Sequence, residues 1–284
     1  MPKSALVFSP HPDDTEYYAG GLVAKMIRQG ANVTYIIVTD GRRGSFQYQT
    51  GTLAPVRADE ARRAAQSLGA NEPVLLSHLD YELDRLPTGK LREHFIRLIR
   101  QYKPDAVIAE DPFSTYEIHP DHRAVAWAVS DAVHYSSLPL VHPEHMEMGL
   151  EPHFVVEKYF YTDNIQQANL IVDISDTIDM KIAALNEHSS QVAFLVEGIT
   201  REAQLAGLDL TTILGDAAGS PSLTLAWFTR LRAADIGRRK GYSYGEAYRF
   251  ERFDPYVEKL LVVQAQKKSA QAPEGQVPSE EQQE

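Results

Sequence analysis

Apolar positions in the first half of the chain fall into short runs separated by stretches of helical period. Ala5 to Ser9 is a run long enough for one strand. Tyr17 to Gln29 carries the 3.6-residue period of a helix, and Gly30 is placed to end it. Val33 to Thr39 is a second β-branched run, closed by Asp40-Gly41. Val56 to Leu68 reads as a helix stopped by Gly69, and Val74 to Leu76 as a short strand. Leu91 to Tyr102 puts Leu91, Phe95, Leu98 and Ile99 on one helical face before Pro104. Ala106 to Ala109 is another strand, and Pro120 opens a helix that runs to about His134.

The second half is less regular. Pro139 to His153 reads as a loop, Val155 to Tyr161 and Leu170 to Ile174 as strands. Ile178 to Leu195 and Ser222 to Lys240 read as helices. Tyr159 and Tyr161 are spaced for one face of their strand. Strands alternating with helices over short connections predict an α/β fold: a Rossmann-like, mostly parallel sheet with helices on both faces, plus an irregular C-terminal part. One domain is expected over 1–264, with its Rossmann-like half at about 1–135 and the remainder at about 136–264. From Ala265 the chain is Gln, Lys, Ser, Pro and Glu with almost no apolar residues, so 265–284 is expected to be a disordered tail.

Composition removes several classes of function. A net charge of -11 argues against a nucleic-acid binder, which needs a basic face. The absence of cysteine removes disulfides, thiolate metal sites and a thiol nucleophile, so any metal must take nitrogen and oxygen ligands. No apolar stretch reaches membrane-spanning length and no signal-type segment opens the chain, so the expected location is the cytoplasm.

Ligands in open α/β sheets bind beyond the carboxyl ends of the strands. Two motifs fall there: His11-Pro12-Asp13-Asp14 after the first strand, and His119-Pro120-Asp121-His122 after the strand at Ala106. Imidazoles and a carboxylate suit a catalytic zinc, and a spare carboxylate can handle a proton. Asp13 and Asp14 are adjacent, so one can bind metal while the other stays free for a water. Asp13 and Glu16 also have the spacing of a helix-capping pair. His119 and His122 lie on nearly one helical face, with Asp121 between them to accept from an imidazole N–H. A donor set of this kind accepts zinc, and also iron, cobalt or manganese.

These motifs, H-P-D-D-x-E and H-P-D-H in a Rossmann-like frame, resemble the PIG-L/LmbE family of zinc-dependent N-acetylglucosamine deacetylases. The similarity extends through Val33 to Gly41, through Arg57, Glu60 and Ala61 with Leu68-Gly69, and through Lys181, Ala184, His188, Ser190 and Gln191. Tyr244 to Arg249 resembles the family more weakly. The resemblance implies one zinc ion per chain held by His11, Asp14 and His122, with Asp13 as general base. His119 would stabilise the oxyanion or protonate the leaving amine, Asp121 would orient it, and Arg57 would hold polar groups of the substrate. It also implies a small amino-sugar substrate and a homo-oligomer, a trimer or hexamer.

Where the family often has a carboxylate after Gly41, this chain has Arg42-Arg43. The pair is either a contact for an anionic aglycone or two solvated charges. Tyr116 either reaches the reacting centre or is a loop aromatic. His188 reads as a structural hydrogen-bonding residue, and His134, His142, His145 and His153 as surface or loop packing. Two other functions fit the same sequence: a zinc amidase acting on another amide, such as a thiol conjugate or an antibiotic amino-sugar, and a non-catalytic Rossmann-like binding protein. The second lacks G-x-G-x-x-G in its first turn, because Gly20-Gly21 comes too late.

Overall fold

The computed structural model describes residues 2–87, 89–162 and 165–271. Two units make up the chain, 1–251 and 252–284. The first is built on a seven-stranded sheet: β1 Ser4–Ser9, β2 Asn32–Thr39, β3 Val74–His78, β4 Ala106–Glu110, β5 Glu157–Tyr161, β6 Leu170–Asp173 and β7 Gly245–Glu251. Their spatial order is β3-β2-β1-β4-β5-β7-β6. The five strands from β3 to β5 are parallel, with Ala5 opposite both Val33 and Ala106. β7 runs antiparallel to β5 and β6, with Tyr248 opposite Tyr161 and Leu170. The mostly parallel sheet expected from the alternation is therefore present.

Successive side chains on a strand point to opposite faces, so each buried strand supplies two cores. Ala5, Val7, Val33, Tyr35, Ile108, Tyr159 and Tyr161 face α1 (Gly20–Arg28) and α2 (Thr50–Leu68). Leu6, Phe8, Ile36, Val38, Val107 and Phe160 face α3 (Lys90–Tyr102) and α4 (Pro120–Tyr135). Beyond these lie the short α5 (Glu144–Glu147), then α6 (Ile178–Asn186), α7 (Ser189–Leu205), α8 (Leu210–Leu214) and α9 (Pro221–Arg238). The second unit carries α10 (Pro255–Gln271). Regular structure thus runs past residue 264, and the rest of the expected tail, 272–284, lies outside the described residues. Among the described residues no helix is long and apolar enough to cross a membrane.

Departures from the sequence expectation occur at α2, at the helix expected over Ile178 to Leu195, and at β7. α2 begins at Thr50 rather than Val56, because Pro55 sits in its second turn, where its missing N–H forfeits one bond. The helix expected over Ile178 to Leu195 is two helices broken at His188, whose ψ of 55° leaves the helical region and turns the ring inward onto Glu16 at 3.2 Å. β7 carries Glu246 and Tyr248 into the interior, a polar pattern that does not read as a strand.

Glu246 ties these parts together. Its carboxylate accepts the Gly21 and Leu22 amides at 2.8 and 2.9 Å, the unsatisfied donors at the start of α1. It also accepts Tyr248 Oη at 2.7 Å and pairs with Lys181 Nζ at 2.6 Å, both side chains of the pair being 2% exposed. Glu246→Ala would strand a buried ammonium and two helix-terminal amides. It is expected to destabilise the protein by about 3–5 kcal/mol, seen as a lower denaturant midpoint. A midpoint within error of the parent would contradict this account of the pair.

Candidate metal centre

β1 ends in a tight turn that aims three side chains at one point. The His11 amide donates to Asp14 Oδ2 at 2.7 Å, folding the carboxylate back beneath the imidazole. Asp13 has φ of 128°, a conformation that costs a non-glycine residue on the order of 1–3 kcal/mol and is found at functional sites. A π-type turn, Thr15–Ala19, follows and accepts this geometry: the Tyr17 amide reaches Asp13 O at 3.0 Å. Arg57, 3% exposed, comes across from α2 and locks the turn. Its guanidinium donates to Pro12 O at 2.6 Å, Gly41 O at 2.9 Å and Asp13 Oδ1 at 2.7 Å. Gly41 has φ of 61°, and a Cβ there would lie 2.4 Å from Arg57 Nη1, so only glycine admits the clamp.

The second motif arrives at the start of α4. His119 caps the helix: its Nδ1 accepts the Asp121 amide at 3.2 Å. His122 Nε2 then lies 3.1 Å from His11 Nδ1 and 3.5 Å from Asp14 Oδ2, and the third edge, His11 Nδ1 to Asp14 Oδ2, is 3.3 Å. A tetrahedral ion with ligands at ~2.0–2.1 Å needs donor–donor edges of about 3.3–3.4 Å. The triangle fits such an ion.

The far side of each imidazole fixes which nitrogen is free. His11 Nε2 meets Asp80 Oδ1 at 3.1 Å, with Asp121 Oδ2 at 3.5 Å. His122 Nδ1 lies 2.8 Å from Glu110 Oε2, a close charge contact at the end of β4. The protons belong on those outer nitrogens, so the inner nitrogens present lone pairs to each other and to Asp14. His119 also falls within 4.8 Å of His11 and His122, but its Nδ1 is already engaged, leaving Nε2 alone to face the centre.

Electrostatics point the same way. Burial pulls the His11 pKa down, yet hydrogen bonds donated by its ring to Asp121, Asp14 and Asp80 outweigh it and hold the ring well above its ordinary value. Burial likewise lowers His122, but Asp14 and Glu110 push it up to about 9. This pocket of carboxylates demands positive charge between the rings, which a divalent ion satisfies in place of protons. His119 is different: burial and its two imidazole neighbours lower its pKa, so it stays neutral. With Nδ1 accepting from the backbone, its proton sits on Nε2. Asp13 is pushed up by burial, against the lowering effect of Arg57.

His11, Asp13, Asp14, Arg57, His119 and His122 all line one open cleft of about 370 Å³. Asp121 lies beneath it, fully buried, and its carboxylate accepts the Tyr81 and Leu83 amides at 2.5 and 3.0 Å. The contact between Asp121 and His119 therefore runs through the backbone amide and not the carboxylate. Arg57 touches Asp13 and two carbonyls, so its guanidinium serves the turn. Arg42 is turned away, paired with Asp40 at 2.6 Å, and Arg43 lines the cleft in its place. Tyr116 is 91% exposed and borders a separate recess with Glu110 and Tyr161, while Tyr81 stands edge-on to His119 at 5.6 Å.

Sequence reasoning missed Asp80, Tyr81 and Glu110. Each follows or ends a parallel strand at its carboxyl end, and that position was the available signal. The other histidines behave as expected of packing residues. His188 is buried against Glu16, and both nitrogens of His145 are engaged, by Arg100 and Glu93.

The sequence profile of the family described as PIG-L, GlcNAc-PI de-N-acetylase, matches residues 6–133. The chain is 34% identical over 191 residues to a diacetylchitobiose deacetylase of Thermococcus kodakarensis, covering 66% of this chain and 70% of that one. It is 27% identical over 206 residues to a protein of Bacillus cereus named "Probable N-acetyl-alpha-D-glucosaminyl L-malate deacetylase 2", covering 69% and 87%. Its fold is similar to the N,N'-diacetylchitobiose deacetylase from Pyrococcus horikoshii solved with its inhibitor MPG: TM-score 0.72, 28% identity, 91% of this chain and 89% of that one.

Asp80 meets His11 at Nε2, the nitrogen on the far side from Asp14 and His122. Asp80→Asn is expected to weaken metal retention about 10- to 100-fold, measured by competition with a chelator of known affinity. Retention equal to the parent would remove Asp80 from the supporting set.

Proposed function

The chain belongs to the PIG-L family of de-N-acetylases, and from that premise we propose that it is a zinc-dependent enzyme with the ion held by His11, Asp14 and His122. It is an amidohydrolase, a deacetylase of small molecules that contain N-acetylglucosamine, as its named relatives are. The observation that carries the zinc reading is the triangle of donors 3.1, 3.3 and 3.5 Å apart, with the outer nitrogens backed by carboxylates.

When bound, a zinc ion at such a site supplies Lewis acidity, lowering the pKa of water towards ~7 and polarising a carbonyl. Asp13 takes the proton of the attacking water. Arg57 ties down its Oδ1, so Oδ2 is the oxygen left for that transfer. Burial raises the Asp13 pKa, which makes its carboxylate a better proton acceptor. The water oxygen adds to the acetamide carbon as the carbonyl oxygen gains negative charge. His119, neutral and protonated on Nε2, donates to that oxygen, and its lowered pKa keeps it from taking the wrong proton state. As the C–N bond breaks, Asp13 returns its proton to the amine nitrogen. The products are acetate and the free amino-sugar.

Asp121 and Tyr81 set the stage for His119, the first by presenting its amide to Nδ1 and the second by packing edge-on to the ring. Arg43 and Arg57, rather than Arg42, line the cleft, and Arg43 also pairs with Glu82.

Asp13→Asn is expected to lower kcat for acetate release from diacetylchitobiose or N-acetylglucosaminyl malate by about 10²–10⁴ while leaving metal content unchanged. A variant with parental kcat would sink the role given to Asp13. His119→Ala removes one oxyanion donor and is expected to lower kcat by about 10²–10³, with little change in KM. A loss confined to KM would instead make His119 a substrate-binding residue.

A further inference from the structure

A cavity of about 560 Å³ is distinct from the metal cleft and larger than it. It lies between α7 and α9, within the size range of small-molecule sites. Leu195, Ile199, Leu225 and Phe228 give it an apolar lining, and the reaction as derived above makes no use of it.

Its position ties it to the active site. Gln191, Phe194 and Leu195 of α7 line the metal cleft, and Leu195 and Ile199 line the larger cavity. Gln191, Leu195 and Ile199 are four residues apart, so they form a single stripe along α7. At 1.5 Å per residue that stripe is about 12 Å long. Tyr17, three residues past Asp14, lines the cavity from the other side. One ligand can therefore have its acetamide at the metal centre and an extended group laid along α7.

The charges around the cavity favour an apolar group over an anion. Lys181 at its floor is held by Glu246 at 2.6 Å, and Arg238 at its rim by Asp235 at 2.8 Å. Arg232 stacks over the rings of Tyr17 and Tyr18, at 5.2 and 5.3 Å, which turns a flat, weakly hydrated cation into part of the wall.

We propose that this cavity is a subsite for an alkyl or aryl group carried by the substrate, so that the amino-sugar this enzyme acts on is an amphiphile. The inference rests on the deacetylase reading for its reaction and on the α7 stripe for its second contact. The apolar group can belong either to the glycosidic substituent or to a longer N-acyl chain, and the two are separable by experiment.

The test compares kcat/KM for methyl and octyl glycosides of N-acetylglucosamine, and for N-acetyl and N-octanoyl forms of the methyl glycoside. Each methylene buried is expected to improve kcat/KM about fourfold, so one octyl or octanoyl arm should exceed its short partner by at least about 100-fold. Ile199→Trp fills the cavity from α7, and Leu231→Glu puts a charge at its rim from a half-exposed position. Both should erase the gain and leave turnover of the short substrate unchanged. Calorimetry with octyl glucoside below its micelle concentration reads the subsite without any reaction; binding with a negative heat-capacity change, lost in both variants, is expected. Equal kcat/KM for long and short forms in both arms, or a gain that survives both variants, overturns the subsite. Octyl glucoside binding without deacetylation of any form would overturn the reaction assigned to the cleft and leave the subsite standing.

Discussion

Two imidazole nitrogens and a carboxylate oxygen, held 3.1–3.5 Å apart with their lone pairs converging, repel one another unless positive charge lies among them. The fold is arranged to impose that convergence. β1 sits between β2 and β4, so the chain leaves it to one side and returns on the other. The crevice this leaves beyond the carboxyl ends is where open parallel sheets hold ligands. His11 and Asp14 come from the end of β1, and His122 from the first turn of the helix after β4. Of their carboxylate supports, Glu110 is the last residue of β4 itself, and Asp80 follows the end of one further parallel strand, β3. Five parallel strands are therefore enough to bring the donors and their partners to one side of the molecule.

The same constraint explains the local strain. A turn that folds Asp14 back under His11 leaves Asp13 at a φ of 128°, and nothing in that turn alone would keep it there. Arg57 supplies the restraint, with three hydrogen bonds from a nearly fully buried guanidinium. A group that reads as a substrate contact in sequence also holds the scaffold, while still lining the cleft. Its pairing with Asp13 has an electrostatic consequence too: the charge on Arg57 opposes the desolvation that raises the Asp13 pKa, favouring the ionised carboxylate.

Much of this was legible in the sequence, because the features that carried it are local. The strand ending in His11-Pro12-Asp13-Asp14 and the helix opening at Pro120 each announce themselves within a few residues. Together they place His11, Asp13, Asp14, His119 and His122 in one cleft. What stayed hidden depends on long-range contact. Asp80 and Glu110 are single carboxylates at strand ends, and only strand order sets them behind His11 and His122. The choice between Arg42 and Arg43 turns on one residue of loop register, decided by the pairing of Arg42 with Asp40. The break at His188 is made by a buried partner 172 positions away, Glu16, which no helical period reveals. β7 was missed because its inward residues, Glu246 and Tyr248, are polar and find their partners on α1 and α6.

The most direct test of this account is the coordination of zinc in the loaded protein, read by X-ray absorption at the metal edge. The donor triangle predicts one ion per chain with two imidazole nitrogens and carboxylate or water oxygen at about 2.0–2.1 Å. The signal of two imidazoles should persist in His119→Ala. Three imidazoles in the parent, falling to two in that variant, would make His119 a ligand and contradict the division between the ion's ligands and the oxyanion donor. Failure to bind one ion per chain would contradict the centre itself.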